Sequence, residues 1–258
     1  MIFVQGAYMK KWIFTAIAAL CLSSSFAYAQ TEEKLDVETR VMARIKLASE
    51  YYYNNQVASA LRELETAKSI NDSYAPLHNM MGIVNMDLRQ FPEAEASFQK
   101  ALRLEPTNPD IHNNYGWFLC VSGQYSKGID WLIKAGSNPR YTTPEKAWYN
   151  AGRCSKMAND ITKAGDYFAK ALSLSPKSTA VMYELALLRF EQQQYPAVLE
   201  IIERIHEVEN TTPQSLWLAI KTENRLNHRN EMESYGQKLL KKYPTSAEAA
   251  LWTTRSFN

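Results

Sequence analysis

The residues best suited to covalent chemistry are two cysteines 34 positions apart, Cys120 and Cys154; a third, Cys21, lies near the start of the chain. A thiol can attack as a nucleophile, ligate a metal or pair as a disulfide. Attack requires a thiolate, which a C-x-x-C motif or an adjacent base would generate. No C-x-x-C occurs, and none of the four histidines (His78, His112, His206, His228) is expected beside either thiol. No G-x-S-x-G, phosphate-binding glycine loop or H-E-x-x-H is present. The histidines and acids do not fall at metal-ligand spacing. The sequence therefore predicts no catalytic residue, no metal and no cofactor. For Cys120 and Cys154 two outcomes stay open: a disulfide, or two buried free thiols filling small spaces in a core.

Which outcome holds depends on the elements that carry the cysteines. Aligning His78–Pro106 with Trp148–Pro176 places Gly82 on Gly152, Ala94 on Ala164, Phe98 on Phe168, Ala101 on Ala171 and Pro106 on Pro176. This is the tetratricopeptide pattern, in which each unit is two antiparallel helices, A and B. Neither helix can bury its apolar stripe alone, so neighbouring units must stack. Extending the register gives six units: 41–74, 75–108, 109–144, 145–178, 179–212 and 213–246. The third is two residues longer, with the extra pair in Ser137–Pro144. The expected fold is all-α: a right-handed superhelical solenoid of six repeats, led in by residues 30–40 and capped by a helix within 247–258.

Small residues at Ala48, Gly82, Gly116 and Gly152 fit close approach of A to B. That is why Gly116 is tolerated inside a helix, where glycine costs about 1 kcal/mol relative to alanine. Pro106, Pro176 and Pro244 are expected to end B helices. His78 and His112 share the position of a large packing residue. Cys120 and Cys154 fall on A helices of consecutive units, which lie side by side, so the spacing favours a disulfide.

The N-terminal stretch must be set apart. From Met9, two lysines precede an apolar run, Trp12–Leu22, and Ala27-Tyr28-Ala29 follows. That order is a secretory signal, expected to cover 1–29 with Met9 as a candidate start. An uncleaved anchor is the alternative. Cleavage would remove Lys10 and Lys11 and no acid, leaving basic and acidic residues equal in number. A balanced charge argues against a nucleic-acid partner. No later segment is apolar enough to span a membrane. An exported chain meets an oxidising compartment, which again favours Cys120–Cys154 pairing.

What such an array offers is a concave groove lined by A helices. The groove is expected to bring forward Asn79 and Ile83, Asn113 and Trp117, Tyr149, Arg153 and Lys156, Tyr183, and Trp217. Asparagines can bond an extended backbone, and Trp and Tyr supply contact area. For Trp117 and Tyr149, packing against neighbouring helices is an equal alternative. Of the run Tyr51–Tyr53, one ring is expected to pack and two to lie nearer the groove.

The strings NNYGWFLC (113–120), NPRYTTPEKAWYNAGRC (138–154) and AGDYFAKALSLSP (164–176) closely resemble the PilW/PilF family of type IV pilus biogenesis proteins. The resemblance extends over roughly 35–250. It implies a periplasm-facing, non-enzymatic assembly factor, or pilotin, for the outer-membrane secretin through which the pilus exits. It also implies cysteines at 120 and 154. Members are usually lipoproteins, whereas here Leu20 precedes Cys21 where a small residue is customary. A lipid anchor at Cys21 is therefore not expected. The expected location is the periplasm, with the outer membrane reached through a protein partner, the secretin or another pilus component. The alternative is a periplasmic peptide-binding adaptor for another envelope or secretion complex.

Overall fold

The computed structural model describes residues 36–208 and 211–257. The expected signal segment at 1–29, Cys21 and the start of the lead-in lie outside the described residues. Every regular element among the described residues is an α-helix. The chain divides into two compact units, up to Pro106 and from Thr107 onward.

The first unit holds α1 (36–53), α2 (Val57–Ile70), α3 (Ala75–Asp87) and α4 (Phe91–Leu104). Its core combines Val41, Ile45 and Ala48 of α1, Ala60, Leu64 and Ala67 of α2, and Leu77, Met80, Met81 and Val84 of α3. Helices α3 and α4 meet at Gly82, where a Cβ would lie 2.7 Å from the Phe98 ring. Glycine is required there because no side chain fits beside the ring. Tyr51 and Tyr52 are half-buried and pack on this core, while Tyr53 is 84% exposed. The Tyr52 hydroxyl donates to Asp87. Two rings of the tyrosine run thus pack on the core, where one was expected.

The second unit comprises α5 (Pro109–Val121), α6 (Tyr125–Gly136), α7 (Pro144–Met157), α8 (Ile161–Leu174), α9 (Thr179–Glu191), α10 (Tyr195–Val208), α11 (Pro213–Leu226), α12 (Arg229–Lys242) and α13 (Ala247–Thr253). The helices pack as pairs α5/α6, α7/α8, α9/α10 and α11/α12, and each second helix leans on the first helix of the next pair. Helix α13 packs on both α11 and α12. Gly236 admits it: a Cβ there would lie 2.1 Å from the Trp252 ring.

Local sequence accounts for the helix ends. Proline opens α5, α7 and α11, where its missing N–H costs nothing. Asn108 caps α5 by accepting from the N–H groups of Asp110 and Ile111. Thr212 and Ser215 form a reciprocal capping box on α11. Helices α4, α8 and α12 stop two residues before Pro106, Pro176 and Pro244.

The turn inside each pair is built one way throughout. A residue with φ between 54° and 86° follows the first helix at Asn55, Arg89, Gly123, Asn159, Gln193 and Asn227, and again at Arg255 after α13. The N–H of Gly123 donates to the Cys120 carbonyl and that of Gln124 to the Leu119 carbonyl, which closes the helix in a Schellman pattern. The same pair of bonds recurs at Arg89/Gln90 and Gln193/Gln194.

Candidate functional site

Cys120 of α5 and Cys154 of α7 are joined as a disulfide, with Cα atoms 5.5 Å apart. Both cysteines are fully buried. The space for the bond comes from α6, where Gly128 faces Cys120 Sγ. Gly116 and Gly128 let α5 and α6 approach so closely that a Cβ on either would meet the other's carbonyl oxygen within 3 Å. The disulfide links the first helices of consecutive pairs. The long connection from α6 to α7 is anchored by buried Tyr141 and by Trp148, whose Nε1 donates to the Gly136 carbonyl at 3.1 Å.

On α5 and α7, next to the disulfide, three of the expected groove residues come together. The Arg153 guanidinium lies 4.3 Å from the centroid of the Trp117 ring and 5.7 Å from that of Tyr149. Tyr149 in turn tilts against Phe168 at 5.9 Å. It thus both packs against Phe168 and meets the guanidinium. Burial, then the nearby Glu184 carboxylate, raises its hydroxyl pKa above the ordinary tyrosine value. Lys156, one turn further along α7, bridges to α9 through Glu184 at 3.6 Å and Glu191 at 3.4 Å. Arg153, Lys156, Met157 and Glu184 line a cavity of about 260 Å³.

Further along, Lys221 of α11 lies 5.2 Å from the centroid of the Phe190 ring. Burial, followed by Arg225, lowers its pKa.

Other expected groove residues are engaged differently. Asn113 is 7% exposed. Its Oδ1 accepts from Asn150 Nδ2 at 3.0 Å, and its Nδ2 donates to Asn114 Oδ1 at 3.0 Å. It serves as an internal strut between α5 and α7 rather than an open peptide-binding amide, because the two helices pass close enough for their amides to meet. Trp217 is 8% exposed and stacks on Phe257 at 5.8 Å. The chain after α13 covers it, so it packs instead of lining a groove. Tyr183 is half-buried against the core formed by Met182, Ala186 and Ile202, and burial raises its pKa. Asn79 and Ile83 lie on α3 in the first unit, where Ile83 packs on that unit's core.

His78 and His112 are buried, and His78 Nε2 lies 2.8 Å from the Asp72 carbonyl. His112 faces Trp131 with ring centroids 4.9 Å apart. Asn150 and Gly128 were missed by sequence reasoning. Gly128 occupies the repeat position held by Ala60, Ala94 and Ala164, so the alignment carried a signal for it; Asn150 had none.

Residues 75–108, 97–130 and 145–178 each match a family model described as tetratricopeptide repeat. The chain is 26% identical over 206 residues to the type IV pilus assembly protein PilF of Pseudomonas aeruginosa, spanning 80% of this chain and 82% of that protein. It is 25% identical over 149 residues to an uncharacterized protein of Haemophilus influenzae, spanning 58% of this chain and 80% of the relative. Among solved structures, PilW, described as a widely conserved type IV pilus biogenesis factor, superposes with a TM-score of 0.75 at 25% identity, covering 84% of this chain and 98% of PilW. Pseudomonas aeruginosa PilF superposes with a TM-score of 0.70 at 24% identity, covering 85% and 99%. The chain carries tetratricopeptide repeats and is homologous to PilF, with a fold like those of PilF and PilW.

Proposed function

We propose that this protein is a non-enzymatic scaffold for type IV pilus biogenesis. It assists assembly or stability of the outer-membrane secretin or the pilus fibre by binding a protein component on the face that carries Trp117, Tyr149 and Arg153. The observation that carries the reading is the 26% identity to PilF over most of both chains. The similarity to PilW supports it. The cation and aromatic side chains on that face are of the kinds that dominate protein interfaces.

In this reading residues 41–246 form six repeats and 247–258 close the array. The left-handed residue recurring at each inter-helix turn supports that division. The protein works in the periplasm and reaches the outer membrane through its partner; no described helix is long and apolar enough to cross a membrane.

Deletion of the gene tests the proposal. Heat-resistant secretin multimers or surface pili should fall and return on complementation. Normal levels of both in the deletion strain would overturn it. Fractionation of the complemented strain tests the location, since osmotic shock should release the protein if it is periplasmic.

A further inference from the structure

Arg153 is held by aromatic rings rather than by an acid. Its guanidinium lies on Trp117 and near Tyr149, and among the described residues it has no carboxylate partner and no hydrogen-bond acceptor. The neighbouring cation differs: Lys156 is matched by both Glu184 and Glu191. The rings hold the guanidinium through contact with its carbon, and no described residue takes its N–H donors. A planar fork fixed in this way is prepared for bidentate pairing with an oxyanion. Little side-chain freedom remains to be lost on binding.

We propose that Arg153, set by Trp117 and Tyr149, captures a single carboxylate on a polypeptide segment of the partner, at the mouth of the cavity it shares with Lys156, Met157 and Glu184. This rests on the reading that the face binds a protein.

Two observations favour a carboxylate over a phosphate. The Glu184 carboxylate borders the same cavity, and a group carrying close to two negative charges would be repelled by it more strongly than a carboxylate. Basic and acidic residues are also nearly equal in number across the chain, so no broad positive surface is available to a polyanion. Exposed Met157, at 44%, supplies an adaptable apolar contact beside the charge, as expected for a peptide side chain rather than a small free anion.

The test places the photo-crosslinking residue p-benzoylphenylalanine at position 157 of the full chain in cells that assemble pili. Irradiation should capture a polypeptide, and mass spectrometry of the adduct should find an Asp, a Glu or a chain-terminal carboxylate within a few residues of the crosslink. Arg153→Gln should lower the yield about tenfold or more, and Arg153→Lys should lower it less, since lysine keeps the charge and loses the fork. Thermal unfolding by circular dichroism checks that both variants fold.

The captured segment, made as a synthetic peptide, should bind the parent about tenfold more weakly when its acid is changed to the amide. The same change should matter little against Arg153→Gln. A polypeptide captured equally well by Arg153→Gln, or one without a carboxylate, overturns the inference and leaves the protein-binding face standing. A lipid adduct, or no adduct, overturns both. Unchanged pili in the deletion strain remove the pilus assignment whatever the crosslink shows.

Discussion

A Cβ on Gly128 would lie 2.4 Å from the Sγ of Cys120, so the disulfide of the second unit occupies space that only a glycine leaves open. Real Cβ contacts are essentially never below 3.0 Å, so Gly128→Ala must push the sulfur or separate α5 from α6. We expect a loss of about 1–3 kcal/mol. Gly116→Leu should cost at least as much, because position 116 meets the Gly128 carbonyl and Leu132 at 2.9 Å. Urea unfolding of the purified variants decides this, and parent-like midpoints would show that α5 and α6 are not locked as described.

Reduction should destabilise the protein. The Cys120–Cys154 bond closes a loop of 34 residues, worth about 3–4 kcal/mol in the chain-entropy account. Cys120→Ala/Cys154→Ala should unfold at a lower urea midpoint than the oxidised parent. It should also be insensitive to a phosphine reductant that shifts the parent. Two titratable thiols in unreduced, denatured mature protein would refute the pairing.

The inter-helix turns offer a stabilising change. Gln193 adopts φ 61°, a region that disfavours side chains bearing a Cβ, and it is exposed. Gln193→Gly should raise stability by about 0.5–1 kcal/mol. Gly123, at φ 86° with nothing within 4 Å of a Cβ, should lose about 1 kcal/mol as Gly123→Ala, through backbone strain alone. Opposite signs in paired melts support the turn geometry; equal signs would contradict it.

Mild acid should weaken the fold. Burial, and then Lys238 and Lys242, lower the His206 pKa from 6.5 to about 4. Between these values the unfolded chain binds more protons than the folded one. The stabilisation is therefore complete above about pH 6.5 and declines as pH falls towards 4. His206→Gln should flatten that decline in urea titrations at pH 7 and pH 4.5. It should not abolish it, because burial lowers His78 as well and adds the same sign. An unchanged slope in His206→Gln would exclude His206 as a cause.

Charge reversal at the candidate site should separate function from folding. Arg153→Glu forfeits the contact to Trp117, worth about 0.5–1 kcal/mol at a partly exposed position. It should shift the urea midpoint little while reducing surface pili sharply. Trp117→Ala should behave similarly with a milder loss. A strain carrying Arg153→Glu with normal piliation would remove this face from the function.

The recurrence of Gly82, Ala94, Phe98, Ala101 and Pro106 seventy residues later pointed to paired helices closed by proline, and to close packing as the reason a glycine sits inside α5. Those features are set by local chemistry: helix-ending prolines, missing side chains and an apolar stripe of helical period. The spacing of Cys120 and Cys154 also favoured their pairing, because one repeat length separates neighbours in a stacked array. The fate of the polar and aromatic residues on the first helices was a tertiary decision. Asn113 and Trp217 share the repeat positions of groove residues, yet one is bound to Asn150 and the other is covered by Phe257. Arg153 is free of acids while Lys156, one turn away, is not. Repeat position sets the face a side chain leaves from. What it meets depends on how closely the next helix passes and on where the chain end folds back, and these distances arise only when all the helices pack together.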